Sequence, residues 1–140
     1  MLDKLISLIK REKQKIIVVV RGYEDVSPAC KGLKNCTTYY YSKGTGDINL
    51  LKYYRDALIE KVFFLHGIKR SNISIVSNWN TQDAHCCIIE YINAKGSVCE
   101  TRNYAVGFGL TKEIAESNAR LEMRQYYNGA DFMVAEQFSI

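Results

Sequence analysis

The residues best suited to chemistry in this sequence form a short turn with the pattern Gly-x-Gly-x-Thr-Lys, made by Gly107, Gly109, Thr111 and Lys112. Glycines let a ligand approach the backbone closely, and the first amides of a helix point outward at the positive end of its dipole. A phosphate would fit there, with Lys112 as its counter-charge. The alternative is structural, because the glycines would let a strand turn and Thr111 would cap the next helix.

Three more side chains could complete an anion site. Arg102 and Arg120 would add positive charge, and His85 follows a polar turn before an apolar run. The alternative for His85 is a solvated or capped turn residue. Glu113 and Glu116 lie beside Lys112 and dilute the charge of the same helix, so we expect a mixed face.

Aromatic side chains supply candidate stacking surfaces for a base or sugar. Residues 39–41 are three consecutive tyrosines, and alternate ones must face opposite sides of a strand, which favours Tyr40 or a neighbour as an exposed ring. Trp79 lies in a polar turn and is a second candidate. The alternative is that these rings line the core or an oligomer interface.

Five cysteines are present, at Cys30, Cys36, Cys86, Cys87 and Cys99. An odd count without a C-x-x-C pair argues against a disulfide framework. Cys86 and Cys87 lie in an apolar run, where we expect them to be buried and packed as small hydrophobic residues. A zinc site made by Cys30, Cys36 and His85 is the open alternative, although these residues are widely spaced.

Composition limits the classes of function. With 140 residues and 47% hydrophobic residues, the chain fits one domain, residues 1–140, and no internal repeat is evident. The net charge of +4 is mild for a dedicated nucleic-acid binder. Because no apolar run is long enough for a membrane helix or a secretory signal, we expect a cytoplasmic protein without membrane contact. Catalytic motifs are absent from the sequence, which predicts a non-enzymatic protein without cofactor or metal.

The first half of the chain predicts a helix, a strand and a second helix. Residues 1–14 have the spacing of a short amphipathic helix suited to oligomer contacts, and residues 16–20, IIVVV, indicate a strand buried on both faces. A long connection follows, interrupted by the strand-like residues 37–43. Asp47 is a candidate N-cap for a long helix that should end near Gly67.

The second half predicts mainly strands. Residues 72–77 and 84–93 and a third strand through Val106 suggest an antiparallel meander, followed by a helix over 112–127 and a last strand over 131–138. We therefore expect an α+β fold. It would have one antiparallel or mixed sheet with two helices on one face, ferredoxin-like or related to the double-stranded RNA-binding fold.

Residues 51–123 resemble a double-stranded RNA-binding domain: a helix, three strands with a histidine at the second, then G-x-G-x-[ST]-K and a closing helix. The resemblance implies that His85 reaches the minor groove and that Lys112 grips phosphate. The lysine cluster of that family is replaced here by Lys112-Glu113-Ile114-Ala115-Glu116. The two glutamates would repel a duplex, so the turn suits one or two phosphates.

The closing residues GFGLTKEIAESNARLEM and ADFMVAE are also similar to degenerate GGDEF-like nucleotidyl-cyclase sensor domains. The metal-binding aspartates of such domains are missing after the first strand, where Arg21, Gly22 and Tyr23 follow. This resemblance implies nucleotide binding without cyclase activity.

The sequence therefore predicts a non-enzymatic binding protein for a phosphate-bearing ligand, with RNA as the first candidate. The alternatives are a small regulatory nucleotide bound, sensed or sequestered at a subunit interface of a homo-oligomer, and a protein-interaction or assembly module without a ligand. The predicted ligand residues are Gly107, Gly109, Thr111, Lys112, Arg102, Arg120, His85, Trp79 and Tyr40.

Overall fold

The fold is given by a computed structural model that describes residues 14–30, 33–79 and 82–140. Sheet A has the strand order β2-β1-β3, with β1 at Gln14–Asp25, β2 at Lys34–Gly46 and β3 at Ile73–Trp79. Sheet B has the order β5-β4-β6, with β4 at His85–Asn93, β5 at Thr101–Gly109 and β6 at Phe132–Ser139. Helix α1 spans Ile48–His66 and α2 spans Lys112–Arg124, and a short 3₁₀ turn covers Arg70–Asn72. The amphipathic helix predicted over residues 1–14 lies outside the described residues, except for Gln14 in β1.

The same topology occurs twice. In each sheet the first strand is central, the second pairs with it as a hairpin, a helix follows, and the third strand pairs antiparallel on the other side. The pattern Thr-x-x-Tyr-x-x-Gly-x-Gly begins at Thr38 in β2 and at Thr101 in β5. The first glycines of the two copies, Gly44 and Gly107, pair with the central strand of their own sheet at Ile16 and Cys87. The two hairpins therefore have the same register. The expectation of no internal repeat is therefore wrong at the level of the fold.

The chain forms four layers, helix, sheet, sheet and helix, with a hydrophobic cluster at each interface. The buried residues between the sheets are Ile17, Val19, Cys86, Ile88 and Val106. Those between sheet A and α1 are Ile16, Val18, Val20, Leu58, Val62 and Ile68. Those between sheet B and α2 are Cys87, Ile89, Tyr91, Ala105, Ala115, Ala119 and Met123. Both central strands are covered on both faces, which explains why they lack polar alternation.

The α+β class is confirmed, whereas the expected single sheet with both helices on one face is wrong. Two strands, β1 and β4, are each buried on both faces, so each needs a layer on either side. Two sheets meet this need when they share an interface and place the helices on opposite outer faces. The predicted meander is also wrong for its first strand, because β3 pairs with β1 in sheet A.

Local signals located the helices well. The Asp47 carboxylate accepts a hydrogen bond from the Asn49 amide at 2.9 Å, and Gly67 ends α1 with φ of +66°. Helix α2 ends at Arg124, three residues before its predicted end at position 127. The strand predicted over residues 37–43 extends to 13 residues, which turns the expected long connection into a hairpin.

Candidate ligand-binding cleft

A cleft of about 1100 Å³ lies between β3 of sheet A and the outer edge of β5 of sheet B, with α2 along one wall. Ligand pockets in proteins occupy roughly 300–1,000 Å³, so the cleft is large enough for a nucleotide-sized molecule. Polar and apolar atoms contribute about equally to its lining, and the polar residues there include Arg21, Tyr23, Asn78, Asn103, Asn118 and Glu122.

Arg21 is the central charged group of the cleft. It follows the apolar residues of β1 on the face directed at sheet B, and its side chain is only 12% exposed. Its Nε donates to Ser74 Oγ at 3.0 Å, and one terminal nitrogen donates to the main-chain oxygen of Tyr104 at 2.7 Å and forms an ion pair with Glu122. These contacts join β1, β3, β5 and α2 at one point.

The charges around Arg21 balance one another. Burial alone would lower the pKa of Arg21, but nearby groups, among them the Glu122 carboxylate that it pairs with, raise it above its ordinary value, so the guanidinium stays charged. Burial also raises the pKa of Tyr23, which keeps its hydroxyl protonated. Two further charges in the lining, Lys34 and Asp83, are opposite in sign. The cleft therefore favours a polar ligand with many hydrogen-bonding groups over a highly charged one.

The outer edge of β5 offers main-chain groups to the cleft. The Tyr104 oxygen accepts from Arg21, and the Phe108 oxygen accepts from Asn118 Nδ2 at 2.6 Å. In an antiparallel strand, every second residue directs both its N–H and its C=O to the same side. Val106 lies midway between Tyr104 and Phe108 and lines the cleft, so its N–H and C=O form a donor and acceptor pair on that edge.

The opposite side of the sandwich is closed. Tyr39 and Tyr41 on β2 donate hydrogen bonds of 2.8 and 2.9 Å to the two carboxylate oxygens of Glu136 on β6. Tyr41 also stacks on Phe138, with ring centroids 4.3 Å apart. A register shift in β6 leaves Ala135 without a partner in β4, which places Glu136 on the inner face.

The two sides of the sandwich are related by the internal repeat. Glu136 pairs with Ile88 in β4, and Asn78 holds the equivalent place opposite Ile17 in β1. Asn78 donates to Asp83 instead of bridging to a tyrosine of the other sheet. The β2–β6 side is thus sealed, while the equivalent β3–β5 side holds the cleft.

The predicted phosphate turn has a structural role in the fold. A Cβ atom at Gly107 would overlap the Ala119 nitrogen and the Ala115 oxygen, and one at Gly109 would lie 2.6 Å from the Ala115 nitrogen. The glycines therefore let β5 pack tightly on α2. Thr111 Oγ1 accepts from the Ile114 amide at 3.2 Å and caps the helix, as the structural alternative predicted. Lys112 is exposed beside this cap.

The predicted aromatic ligands lie elsewhere. Trp79 packs on the cluster beneath α1, and its indole nitrogen is buried without a hydrogen-bond partner among the described residues. Tyr40 packs on the same cluster, with its hydroxyl 2.7 Å from His66 Nε2 and Lys61 over its ring. The alternation predicted for the tyrosines is confirmed, since Tyr39 and Tyr41 face the other sheet. The expected exposed ring is wrong, because Tyr39, Tyr40 and Tyr41 are all half-buried.

The predicted basic ligands are also dispersed. His85 begins β4 opposite Gly109, so it does lie near the turn, with a buried Nδ1 that has no hydrogen-bond partner among the described residues. Arg102 is at the other end of β5 and forms an ion pair with Glu90 at 2.9 Å. Arg120 lies over the ring of Phe132. The structure thus brings His85 together with the turn of Gly107, Gly109, Thr111 and Lys112, but not with Arg102, Arg120, Trp79 or Tyr40.

The cysteines divide into a disulfide and three buried thiols. Cys30 is bonded to Cys99, with their Cα atoms 5.5 Å apart, so the expectation of unpaired cysteines is wrong for these two. The bond removes Cys30 from the proposed zinc set with Cys36 and His85. Burial raises the pKa of Cys36 to about 11, which describes an inert, protonated thiol.

No group of three or more histidine, cysteine or acidic side chains that could hold a metal ion occurs within residues 14–30, 33–79 and 82–140. In the same described part of the chain, neither helix is long and apolar enough to span a membrane. Comparison of the chain with protein-family models, curated proteins and solved structures finds no match. Any function assigned to the cleft therefore rests on its physical features.

Sequence reasoning missed the cleft because its lining comes from separate segments. Arg21, Asn103 and Asn118 belong to different elements and form no motif. One signal was present in the sequence, because Arg21 directly follows the apolar run IIVVV. A charged residue at such a position is buried only when it has a partner.

Proposed function

We propose that this protein is a non-enzymatic binding protein that takes a small nucleoside- or nucleotide-type ligand in the cleft between β3 and β5. The observation that carries the proposal is the position of Val106, whose main-chain N–H and C=O lie between two edge carbonyls that already have partners. A nucleobase edge presents matching acceptors and donors, and main-chain groups recognise it without a charged side chain.

The lining supports the same class of ligand. Tyr126 is 69% exposed at the rim and is placed to stack on a base, while Asn103 is nearly buried and offers an amide. Lys34 is exposed at one end of the cleft and could neutralise one phosphate. Because Arg21 is already neutralised by Glu122, a ligand with one phosphate or none fits better than a triphosphate.

A thermal-shift panel of the four common nucleosides and their mono-, di- and cyclic phosphates tests this proposal. A ligand present at about 100 times its Kd stabilises the folded state by about 2.7 kcal/mol. Tyr126→Ala should reduce the shift, whereas the matched control Tyr53→Ala, which removes a ring of 67% exposure from α1, should leave it unchanged. Absence of any shift across the panel would reject the proposal.

RNA remains a second candidate, and it rests on the resemblance of residues 51–123 and on exposed Lys112 beside the cap of α2. Lys112→Glu separates the two candidates, because this residue does not line the cleft. Binding of RNA should weaken in that variant and should fall steeply with salt. Binding of a cleft ligand should not change.

We further propose the cytoplasmic location and the homo-oligomer that the sequence predicts. Native mass spectrometry of freshly purified protein tests the subunit count and detects any co-purified nucleotide or RNA. A protein-interaction module without a ligand would give an intact oligomer and no small molecule.

A further inference from the structure

The Cys30–Cys99 disulfide joins equivalent parts of the two repeats. Cys30 lies in the hairpin connection between β1 and β2, and Cys99 lies in the hairpin connection between β4 and β5. The main chain passes from sheet A to sheet B at the opposite end, between Trp79 and His85, since Trp79 pairs with Ile16 near the start of β1. The sheets are thus joined covalently at both ends.

The disulfide lies at one end of the cleft. Leu33 and Lys34 follow the Cys30 connection, and Asn93 precedes the Cys99 connection; all three line the cleft. A hydrogen bond of 2.8 Å from the Arg102 amide to Asn35 Oδ1 is a second link between the hairpins at this end. These lining residues are therefore next to the two connections that the disulfide joins.

The disulfide is accessible to thiol–disulfide exchange from the side of Cys99. Cys30 is 5% exposed, but Cys99 is only half-buried and its neighbour Val98 is 98% exposed. The three other thiols are fully buried, and burial raises the pKa of Cys86 to about 12 and of Cys87 to about 11. Because the attacking species in exchange is a thiolate, these thiols do not compete for the bond, and the pair can open and close without reshuffling.

We propose that the Cys30–Cys99 disulfide is a reversible redox latch that controls access to the cleft. Two molecules of a monothiol such as glutathione, or one dithiol, reduce the bond: two electrons and two protons pass to the cysteines, and the reductant leaves as its disulfide. The inter-sheet core holds the sandwich together in both states, so reduction frees the two connections and widens this end of the cleft. The functional meaning of the latch rests on the proposed cleft ligand, but the opening itself does not.

Hydrogen exchange of the oxidised and reduced full chain tests the latch. The Leu33 amide donates to Cys30 and the Glu100 amide donates to Ser97, so both report on the connections. We expect these amides to exchange at least about tenfold faster after reduction, because local opening of such loops is uncoupled from global unfolding. The Gly67 amide, bonded to Phe63 at the end of α1, should not change.

Hydroxyl-radical footprinting then measures access to the cleft without any ligand. Labelling of Tyr23 in the cleft should increase about two- to threefold after reduction, whereas labelling of Tyr53 on α1 should stay constant. The Cys30→Ser/Cys99→Ser variant should match the reduced protein under oxidising conditions, and Cys36→Ser should behave like the wild type. Reoxidation should restore the first pattern.

Three results would overturn the latch. Five free thiols in the oxidised protein would show that the disulfide does not form. Equal hydrogen exchange in both states would show that the disulfide does not restrain the two connections. Faster exchange of the Gly67 amide as well would show that the disulfide stabilises the whole fold and not this end alone. Failure of the nucleotide panel with a normal redox response would reject the cleft ligand and leave the latch intact.

Discussion

Arg21 on the central strand of sheet A donates a hydrogen bond of 2.7 Å to the main-chain oxygen of Tyr104 on the edge strand of sheet B. The same guanidinium pairs with Glu122 on α2, so one side chain fixes the position of both walls of the cleft. A nearly buried cation of this kind is stable only while its partners are present.

Replacing Arg21 should therefore be costly. Arg21→Met leaves the Glu122 carboxylate and the Tyr104 oxygen without their partner, and we expect a loss of about 2–4 kcal/mol in the free energy of unfolding. Urea denaturation measures this loss. Arg55→Met is the matched control. Among the described residues Arg55 pairs with exposed Asp56, so this substitution should cost less than about 0.5 kcal/mol. Equal effects of the two substitutions would contradict the role of Arg21.

The equivalent glycines of the two repeats should respond differently to alanine. At Gly107 an added methyl group would overlap backbone atoms of Ala115 and Ala119, which cannot move without shifting α2. We expect Gly107→Ala to lower the stability by about 3 kcal/mol or more. At Gly44 the nearest atom is the hydroxyl of Tyr54, the end of a side chain that can rotate away, so Gly44→Ala should cost less than about 1 kcal/mol. Thermal denaturation of the pair decides whether α2 is the more closely packed helix.

The hydrogen bonds from Tyr39 and Tyr41 to Glu136, on the closed side of the sandwich, should be energetically coupled. Tyr39→Phe and Tyr41→Phe each remove one hydrogen bond to Glu136, at a cost of about 1–2 kcal/mol. Because the two tyrosines share a carboxylate, the double variant should differ from the sum of the single ones by about 0.5 kcal/mol or more. Strict additivity in a double-mutant cycle would show that they bind Glu136 independently.

Alkaline pH should destabilise the fold through its buried thiols. Burial raises the pKa of Cys36 to about 11 and of Cys86 to about 12 from an ordinary value of 9.0. Their contribution is fully present below pH 9.0, where both states are protonated. Above pH 9.0 the unfolded chain loses protons that the native state keeps, so stability falls until pH 11–12 by about 1.4 kcal/mol per pH unit for each thiol.

Urea denaturation between pH 8 and pH 11 measures this dependence. Cys86→Ala should lower the stability at every pH, because it removes buried volume, but it should make the fall with pH less steep. A slope that does not change when Cys86 is replaced would mean that this thiol ionises in the native state.

The sequence allowed the elements to be predicted but not their assembly. Asp47 and Gly67 act locally through a side-chain cap and a left-handed backbone, so the bounds of α1 were predictable. The pairing of β3 with β1 depends on contacts more than 50 residues apart, which no local pattern encodes. The strands were therefore assigned to one sheet instead of two.

The site shows the same limit. Gly107 and Thr111 form a local pattern that suits both an anion site and tight helix packing, and only the position of Ala119 distinguishes them. The cleft residues Arg21 and Asn118 are about 100 residues apart and meet only after both sheets have formed. The disulfide was missed for a related reason, since Cys30 and Cys99 are 69 residues apart and become neighbours through the repeat.

A nuclear magnetic resonance titration of the isotopically labelled chain with the nucleosides and nucleotides of the panel tests whether the cleft binds a small ligand of this type. We predict that the amide shifts cluster at Val106, Asn103 and Tyr126 along the cleft, with no change at Tyr53. Shifts confined to Gly109, Thr111 and Lys112, or no shifts with any compound, would contradict this account.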